Sequence, residues 1–346
     1  MWIETDLEPD DVLALYILPL AKYYVVGEGN ANVKYNRMLR YCKILSDLES
    51  MPNARDEQKI EFGGRSKIYN FEASIKKLPT IPEVNEESQD ENNTTFPVII
   101  QGIGSDKEFS LDGKEFDNLQ NETGNENYLA RFVEFATSPN PVMFSFKPMR
   151  ELLNEYAKNP EYIKQLVSNI TLYVYGSFNF RCLASLDKTT LLDLLSQFKK
   201  ICIYESYFVS GNNNSMNKSN APALYKYLSE NKNEYVNALT KLTYNWNKSI
   251  LDDMIESLKD QTLDEYTRSR HQKVVDSITG NEEFQYVIAD FGLAAVYQDV
   301  EAVPITNLKF ENYTTFDVTD QPTNMYVYKD IPTEKIEELV IKKWKN

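Results

Sequence analysis

The chain has 346 residues, of which 42% are hydrophobic, which is enough to bury the core of one large globular domain or two smaller ones. Its formal net charge of −15 argues against a nucleic-acid partner, because phosphate binding needs a basic surface. No apolar run reaches the roughly 18 residues of a membrane-spanning helix. Three widely spaced cysteines predict neither a zinc site nor a disulfide framework. We therefore expect a soluble, intracellular protein in the cytoplasm.

The chain opens with a short apolar strand, Trp2 to Thr5, which runs into four closely spaced acids: Glu4, Asp6, Asp10 and Asp11. Acids packed this closely repel each other, and Ca²⁺, which takes six to eight oxygen ligands, would relieve the repulsion. A helix is predicted from Pro9, because proline suits the first turn of a helix. The segment thus predicts a metal site at the C-terminal end of a first strand, where open α/β folds place their ligands.

Strands and helices then alternate. Further strands are predicted at 23–26, 97–100, 142–146, 170–175 and 201–204, and helices at 32–48, 128–137, 149–158 and 188–199. Residues 221–280 are predicted to be mostly helical. Two further strands are predicted at 313–318 and 325–328, followed by a helix at 333–344. Helices between successive strands imply right-handed crossovers and a parallel sheet. We predict an α/β fold with an open, mainly parallel, Rossmann-like sheet flanked by helices.

The segment 49–96 differs from its surroundings, because its acidic run from Glu83 to Thr95 has no apolar content. Such a stretch is typical of a loop or an insertion. Nothing else marks a domain boundary, so we expect one domain, 1–346, that carries a polar insertion at about 49–96.

The acidic segment alone leaves three interpretations open. It can be a solvated turn with helix-capping acids, since Asp10 and Asp11 lie where the helix dipole favours anions. It can be the D-x-D of an aspartate-nucleophile phosphatase, although Glu4 stands at the first position and no threonine follows two residues after Asp6. It can also be a calcium site, which further segments favour.

Several segments, taken in order, resemble the inosine–uridine-type nucleoside hydrolases. The pattern E-x-D-x-x-x-D-D before Val12-Leu13-Ala14-Leu15 is similar to the N-terminal motif of that family. Gly29-Asn30 resembles its G-N turn, Lys147-Pro148-Met149-Arg150-Glu151 its G-P-L-T-N segment, Gly176 to Asn179 its M-G-G…F-N segment, and Ala289-Asp290 its late H-D element. The matches are individually weak, but they span most of the chain in the order of the family.

The resemblance implies a nucleoside-hydrolase-like fold and a Ca²⁺-dependent hydrolase that splits the N-glycosidic bond of a ribonucleoside or a related ribosyl compound. It implies that Asp6, Asp11 and Asp290 bind Ca²⁺ with their side chains, and that Arg150 does so with its main-chain oxygen. It also implies that Asp6 takes the proton from the metal-bound water, and that Asp10, Asn30 and Asn179 bind the ribose hydroxyls. A homodimer or homotetramer is expected on the same ground.

Departures from the family pattern support an alternative. Arg150 stands at a threonine position, and Ala289 stands where many members have a histidine that is a candidate acid for the departing base. The single histidine, His271, lies among basic neighbours and is expected to face solvent on a helix. The alternative is a catalytically impaired protein of the same fold that binds a ribosyl ligand or serves as an interaction protein.

Overall fold

The structure is a computed structural model of the chain. It describes residues 1–7, 11, 14–15, 18–28, 35, 38, 42, 97–103, 128–204, 223, 226, 252, 254–263, 265–278, 292–294, 297, 302–310, 314–328, 337–338 and 341–342. Within these residues no helix is long and apolar enough to cross a membrane. The predicted insertion at 49–96 lies entirely outside the described residues, which resume at Pro97.

The described residues form nine strands and five principal helices. The strands are β1 (Trp2–Thr5), β2 (Tyr23–Val26), β3 (Val98–Gln101), β4 (Val142–Ser145), β5 (Thr171–Tyr175), β6 (Lys200–Tyr204), β7 (Val303–Phe310), β8 (Thr314–Val318) and β9 (Met325–Tyr328). The helices are α1 (Tyr128–Ala136), α2 (Arg150–Lys158), α3 (Pro160–Val167), α4 (Gly176–Gln197) and α5 (Glu265–Ile278).

All nine strands lie in one sheet with the order β3-β2-β1-β4-β5-β6-β9-β7-β8. The strands from β3 across to β9 are parallel, and β7 runs antiparallel to both β8 and β9. The predicted open, mainly parallel α/β fold is confirmed. From β1 the chain proceeds outward to β2 and β3, and then returns to place β4 on the other side of β1. The interval between β1 and β4 is therefore the point at which the strand order reverses.

The core on one face of the sheet is rich in aromatic side chains. Trp2 is fully buried, and its ring centroid lies between 5.3 and 5.5 Å from those of Tyr23, Tyr128, Phe132 and Phe135. Edge-on and tilted ring pairs at these distances are favourable. This cluster fixes the start of α1 against β1, and it leaves Glu4, two residues after Trp2, on the same face of the strand.

The opposite face of the sheet carries a second aromatic group. Phe144 stacks on Tyr173 at 5.1 Å, and Tyr297 meets both rings edge-on. A side chain at Gly292 would approach Tyr204, at the end of β6, to 2.5 Å, so this glycine permits close packing. The segment that follows Asp290 in sequence thus contacts the C-terminal end of a strand.

Two described elements were not predicted. The helix α3 begins at Pro160 directly after α2, and β7 contains Pro304 within a partly exposed run. The helix α4 starts at Gly176 rather than at 188, with a break at Asp187, where φ is −154° and ψ is 93°. The predicted helices at 32–48 and 333–344 lie mostly outside the described residues.

Candidate functional site

The turn after β1 contains Asp6, and the Asp11 side chain bonds to the residues on either side of it. Asp6 is half-buried, and Asp11 is fully buried. The Asp11 Oδ2 atom accepts a hydrogen bond from the Thr5 hydroxyl and another, of 2.9 Å, from the backbone N–H of Leu7. Leu7 itself adopts φ of 53°, in the left-handed region. The Asp11 carboxylate therefore holds a strained turn at the C-terminal end of β1.

The residues after β4 lie beside this turn, because β1 and β4 are neighbours. Glu4 is in register with Ser145, and the backbone N–H of Phe146 donates to the Glu4 carbonyl at 2.9 Å. The Ser145 hydroxyl donates to the Lys147 carbonyl at 2.6 Å, which closes the turn that leads into α2. The two turns lie side by side at the reversal point, where open α/β sheets bind their ligands, and we call the place between them the crevice.

A buried ion network lies beside these two turns. The Lys147 ammonium donates to Glu151 Oε2 at 2.6 Å and lies 3.8 Å from Glu4 Oε2. The other oxygen of Glu4 accepts from Tyr128 Oη at 2.9 Å and from the indole N–H of Trp2 at 3.2 Å. The sequence grouped Glu4 with three other acids whose repulsion a cation would relieve, and in the structure the Lys147 ammonium lies beside Glu4. The physical reason is the strand alternation, which sends Glu4 into the Trp2 face.

A second ion pair connects the turn after β2 to α2. The Arg150 Nε atom donates to Glu28 Oε1 at 2.6 Å, and both side chains are buried. The Glu28 backbone N–H donates to the Ile103 carbonyl at 2.7 Å, and the Ile103 N–H donates to Glu151 Oε1 at 2.6 Å. Glu28 adopts φ of 60°. Strained residues of this kind concentrate at functional sites, and here one follows β1 and another follows β2.

Burial raises the pKa values of two carboxyl groups in these ion pairs toward neutral pH. It raises the pKa of Glu4 to about 7, against the opposing charge of Lys147. It also raises the pKa of Glu28 to about 7, against the opposing charge of Arg150. Burial acts to lower the pKa of Lys147, but Glu151 and Glu4 outweigh that effect, and the pKa lies above its ordinary value. Lys147 is therefore charged at neutral pH.

Among the seven predicted site residues, the structure describes Asp6, Asp11, Arg150 and Asn179. Asp6 lies in the turn after β1 to which Asp11 is hydrogen-bonded, and Arg150 and Asn179 lie next to the end of β4. Arg150 is the first residue of α2, where a main-chain carbonyl points along the helix axis toward its C-terminal end. Its role as a metal ligand stays a prediction.

Asn179 lies in the first turn of α4 and is fully buried. Its amide Nδ2 donates to the carbonyl of Ser145, the last residue of β4, at 3.2 Å. Its Oδ1 atom has no hydrogen-bond partner in the part of the chain that the structure describes. The same holds for Glu28 Oε2. Buried polar atoms normally have partners, so these two mark places where a bound group or water would bond.

The remaining predicted site residues, Asp10, Asn30 and Asp290, lie outside the described residues. Within the described ranges, no three His, Cys, Asp or Glu side chains cluster closely enough to hold a metal ion. The predicted Ca²⁺ site thus remains a prediction.

The prediction that His271 faces solvent is wrong. It is buried in α5, and its Nδ1 lies 2.7 Å from the Ser257 hydroxyl. The Ser257 hydroxyl also bonds to the Met254 carbonyl at 2.8 Å. The basic neighbours in the sequence suggested an exposed position, but the helix turns His271 inward.

Sequence reasoning missed the functional candidates Glu28, Lys147 and Glu151. Lys147 and Glu151 are four residues apart, which is the spacing of a helical ion pair, and that spacing was the available signal. Glu28 carries no local signal, because its partner Arg150 is 122 residues away.

Comparisons with known proteins agree with the fold. No protein-family model matches the chain, and no curated protein matches it. A solved structure, the type III effector protein XopQ complexed with adenosine diphosphate ribose, is similar with a TM-score of 0.52 at 11% identity, over 99% of this chain and 91% of that chain. The crystal structure of the effector protein XOO4466 gives a TM-score of 0.48 at 13% identity, over 99% of this chain and 92% of that chain. At these identities the likeness to XopQ shows the fold alone.

Proposed function

We propose that this protein binds a ribosyl compound, of the class to which ADP-ribose belongs, in the crevice between the C-terminal ends of β1 and β4. The observation that carries the proposal is the reversal of strand order between these two strands. In open α/β sheets ligands bind at such a reversal, and the buried Asn179 Oδ1 beside the end of β4 lacks a partner within the described residues. A ribose hydroxyl is a suitable donor for that oxygen.

The XopQ structure supports the class of ligand. Its fold is similar to that of this chain, and it was solved as a complex with adenosine diphosphate ribose. The resemblance of Gly29-Asn30 and Asn179 to the sugar-binding segments of nucleoside hydrolases points the same way. In the proposed complex, Asp10, Asn30 and Asn179 bind the ribose hydroxyls.

Isothermal titration calorimetry with ADP-ribose, adenosine and ribose tests this proposal. Asn179→Ala removes the orphaned acceptor and should weaken binding about tenfold, which corresponds to one hydrogen bond. Asn154→Ala, at an exposed position of α2, is the matched control and should bind normally. Absence of heat with all three ligands, from a folded protein, would overturn the proposal.

Hydrolysis of the N-glycosidic bond is a second candidate function, and the pair of acids at the turn after β1 favours it. Asp6 is a half-buried residue of the turn after β1, and in this candidate function its carboxylate accepts the proton of an attacking water. Cleavage builds positive charge on the sugar, which nearby carboxylates stabilise.

The donor chemistry of this turn suits Ca²⁺, because Asp6 and Asp11 present the hard oxygen ligands that the ion prefers. Asp6 and Asp11 would hold it, with Asp290 and the main-chain oxygen of Arg150 as further proposed ligands. When bound, Ca²⁺ would position the water and the ribose diol and lower the pKa of that water in part.

Chromatographic detection of free base distinguishes the two functions. Purine and pyrimidine nucleosides would be incubated with the protein in added Ca²⁺ and in chelator. Release that chelator and Asp11→Ala both abolish would establish the hydrolase. Binding without release of base from any nucleoside would leave the protein as a ribosyl-ligand-binding relative without activity.

A further inference from the structure

The segments that follow β2, β3 and β4 are connected through the carboxylate of Glu151 and the backbone of Ile103. Its Oε1 atom accepts the Ile103 N–H after β3, and its Oε2 atom accepts the Lys147 ammonium after β4. The Ile103 carbonyl in turn accepts the Glu28 N–H after β2. Both backbone groups of Ile103 are therefore used, and they connect the turn after β2 to the helix after β4.

The Glu151 carboxylate is closely packed on all described sides. Lys147 has no exposed surface, and the Glu151 side chain is 3% exposed. A Cβ atom at Gly102 would lie 2.2 Å from Glu151 Oε1, and one at Gly27 would lie 2.7 Å from the Ile103 carbonyl oxygen. Any side chain at either glycine would displace the network, so both turns are built to approach Glu151 at backbone distance.

The charge on Lys147 makes this arrangement rigid. Its ammonium bonds to Glu151 and to the Pro148 carbonyl at 3.2 Å, and Glu4 lies 3.8 Å away. Charge-assisted hydrogen bonds in a buried setting are stronger than neutral ones. The ion pair thus fixes the turn of 146–149, whose residues form one wall of the crevice.

We propose that Glu151 is a positioning residue for ligand binding: with Lys147, it holds the turns after β2, β3 and β4 in the arrangement that the ribosyl ligand requires. None of the three turns needs to reorganise when the ligand arrives, and preformed sites lose less conformational entropy on binding. Glu151 makes no contact with the ligand in this scheme. The inference rests on the proposed function, since it concerns the same crevice.

The test uses Glu151→Gln, which keeps an acceptor for Ile103 but removes the charge that Lys147 binds. The matched control is Glu155→Gln, the same chemical change one turn later on α2, where the partner Lys158 is exposed. ADP-ribose is the titrant in calorimetry. We expect Glu151→Gln to bind at least roughly tenfold more weakly, as when residues that hold binding groups in place are removed. Glu155→Gln should bind like the original protein.

Hydrogen exchange of the Ile103 amide supplies a readout that does not depend on the ligand. Faster exchange at Ile103 in Glu151→Gln than in Glu155→Gln, measured under conditions where both are fully folded, is expected. Equal exchange in the two variants would overturn the positioning role even if ADP-ribose fails to bind the original protein. Failure of the original protein to bind, with altered exchange, would count against the proposed function and leave the positioning of the turns standing.

A second variant keeps the proposal testable if Glu151→Gln alone does not fold. Lys147→Met combined with Glu4→Gln and Glu151→Gln removes all three charges and leaves no lone ion at this place in the interior, a replacement that is often neutral for stability. Weak ADP-ribose binding by this folded triple variant supports the proposal. Affinity equal to that of the original protein, in either Glu151 variant, overturns it.

Discussion

Replacement of Lys147 by methionine should destabilise the protein strongly. Methionine has a similar length and fits an apolar interior, but it removes the cation that balances Glu4 and Glu151. With an effective dielectric constant of about 20, Coulomb's law gives gross attractions of about 6 kcal/mol at 2.6 Å and about 4 kcal/mol at 3.8 Å. Desolvation offsets much of this, and removal of one partner from a buried pair costs about 3–5 kcal/mol.

Urea denaturation at pH 7 measures this loss, with Lys158→Met as the control. Lys158 is paired with Glu155 on the surface, with its side chain 68% exposed, so its loss should cost less than about 0.5 kcal/mol. The urea dependence of the free energy should be unchanged, because the folded state buries the same surface. The cost of Lys147→Met should shrink at pH 5, since Glu4, whose pKa is about 7, is then protonated. A loss below about 1 kcal/mol at pH 7, indistinguishable from the control, would refute the reasoning.

Three further predictions concern the same region. Gly102→Ala should lower the free energy of unfolding by about 1–3 kcal/mol in urea, because its Cβ would lie 2.2 Å from Glu151 Oε1; a silent substitution would contradict the packing. The raised pKa of Glu4 means that the folded state holds more protons than the unfolded state between pH 4.5 and about 7, so its contribution to stability is complete at low pH and falls by about 3 kcal/mol as the pH rises through that range. Glu4→Gln should flatten this part of the stability profile, and an unchanged slope would count against the assigned shift. Asp11→Ala should abolish Ca²⁺ binding in calorimetry and destabilise the turn that Asp11 caps at Leu7, and tight Ca²⁺ binding by this variant would contradict the proposed metal site.

Much of the sheet could be predicted from the sequence, because its central strands are short apolar runs bounded by helical segments. The runs at 23–26 and 201–204 are buried on both faces, as parallel strands require, and they are strands in the structure. The strand β7 was not predicted, because Pro304 and exposed polar residues interrupt its apolar pattern. The helix α3 was not predicted either, because it follows α2 without a loop. Asn159 and Pro160 are nevertheless a recognisable signal for the start of a helix.

The acidic turn after β1 was accessible to sequence reasoning, because Asp6 and Asp11 are neighbours in the chain. The ion network was not. Tyr128 and Glu4 are 124 residues apart, and Arg150 and Glu28 are 122 apart, so only the fold brings them together. The cation beside Glu4 was equally inaccessible. Local repulsion between the acids suggested a metal ion, whereas the cation next to Glu4 in the structure is Lys147, from the turn after the neighbouring strand β4.

The position of the ligand is the central claim, and a crystal structure of the protein grown with saturating ADP-ribose tests it most directly. The account predicts density for the ribose in the crevice between the turns after β1 and β4, with a ribose hydroxyl bonded to Asn179 Oδ1. Density for ADP-ribose elsewhere on the molecule, or an empty crevice at a ligand concentration that saturates the protein in calorimetry, would contradict it.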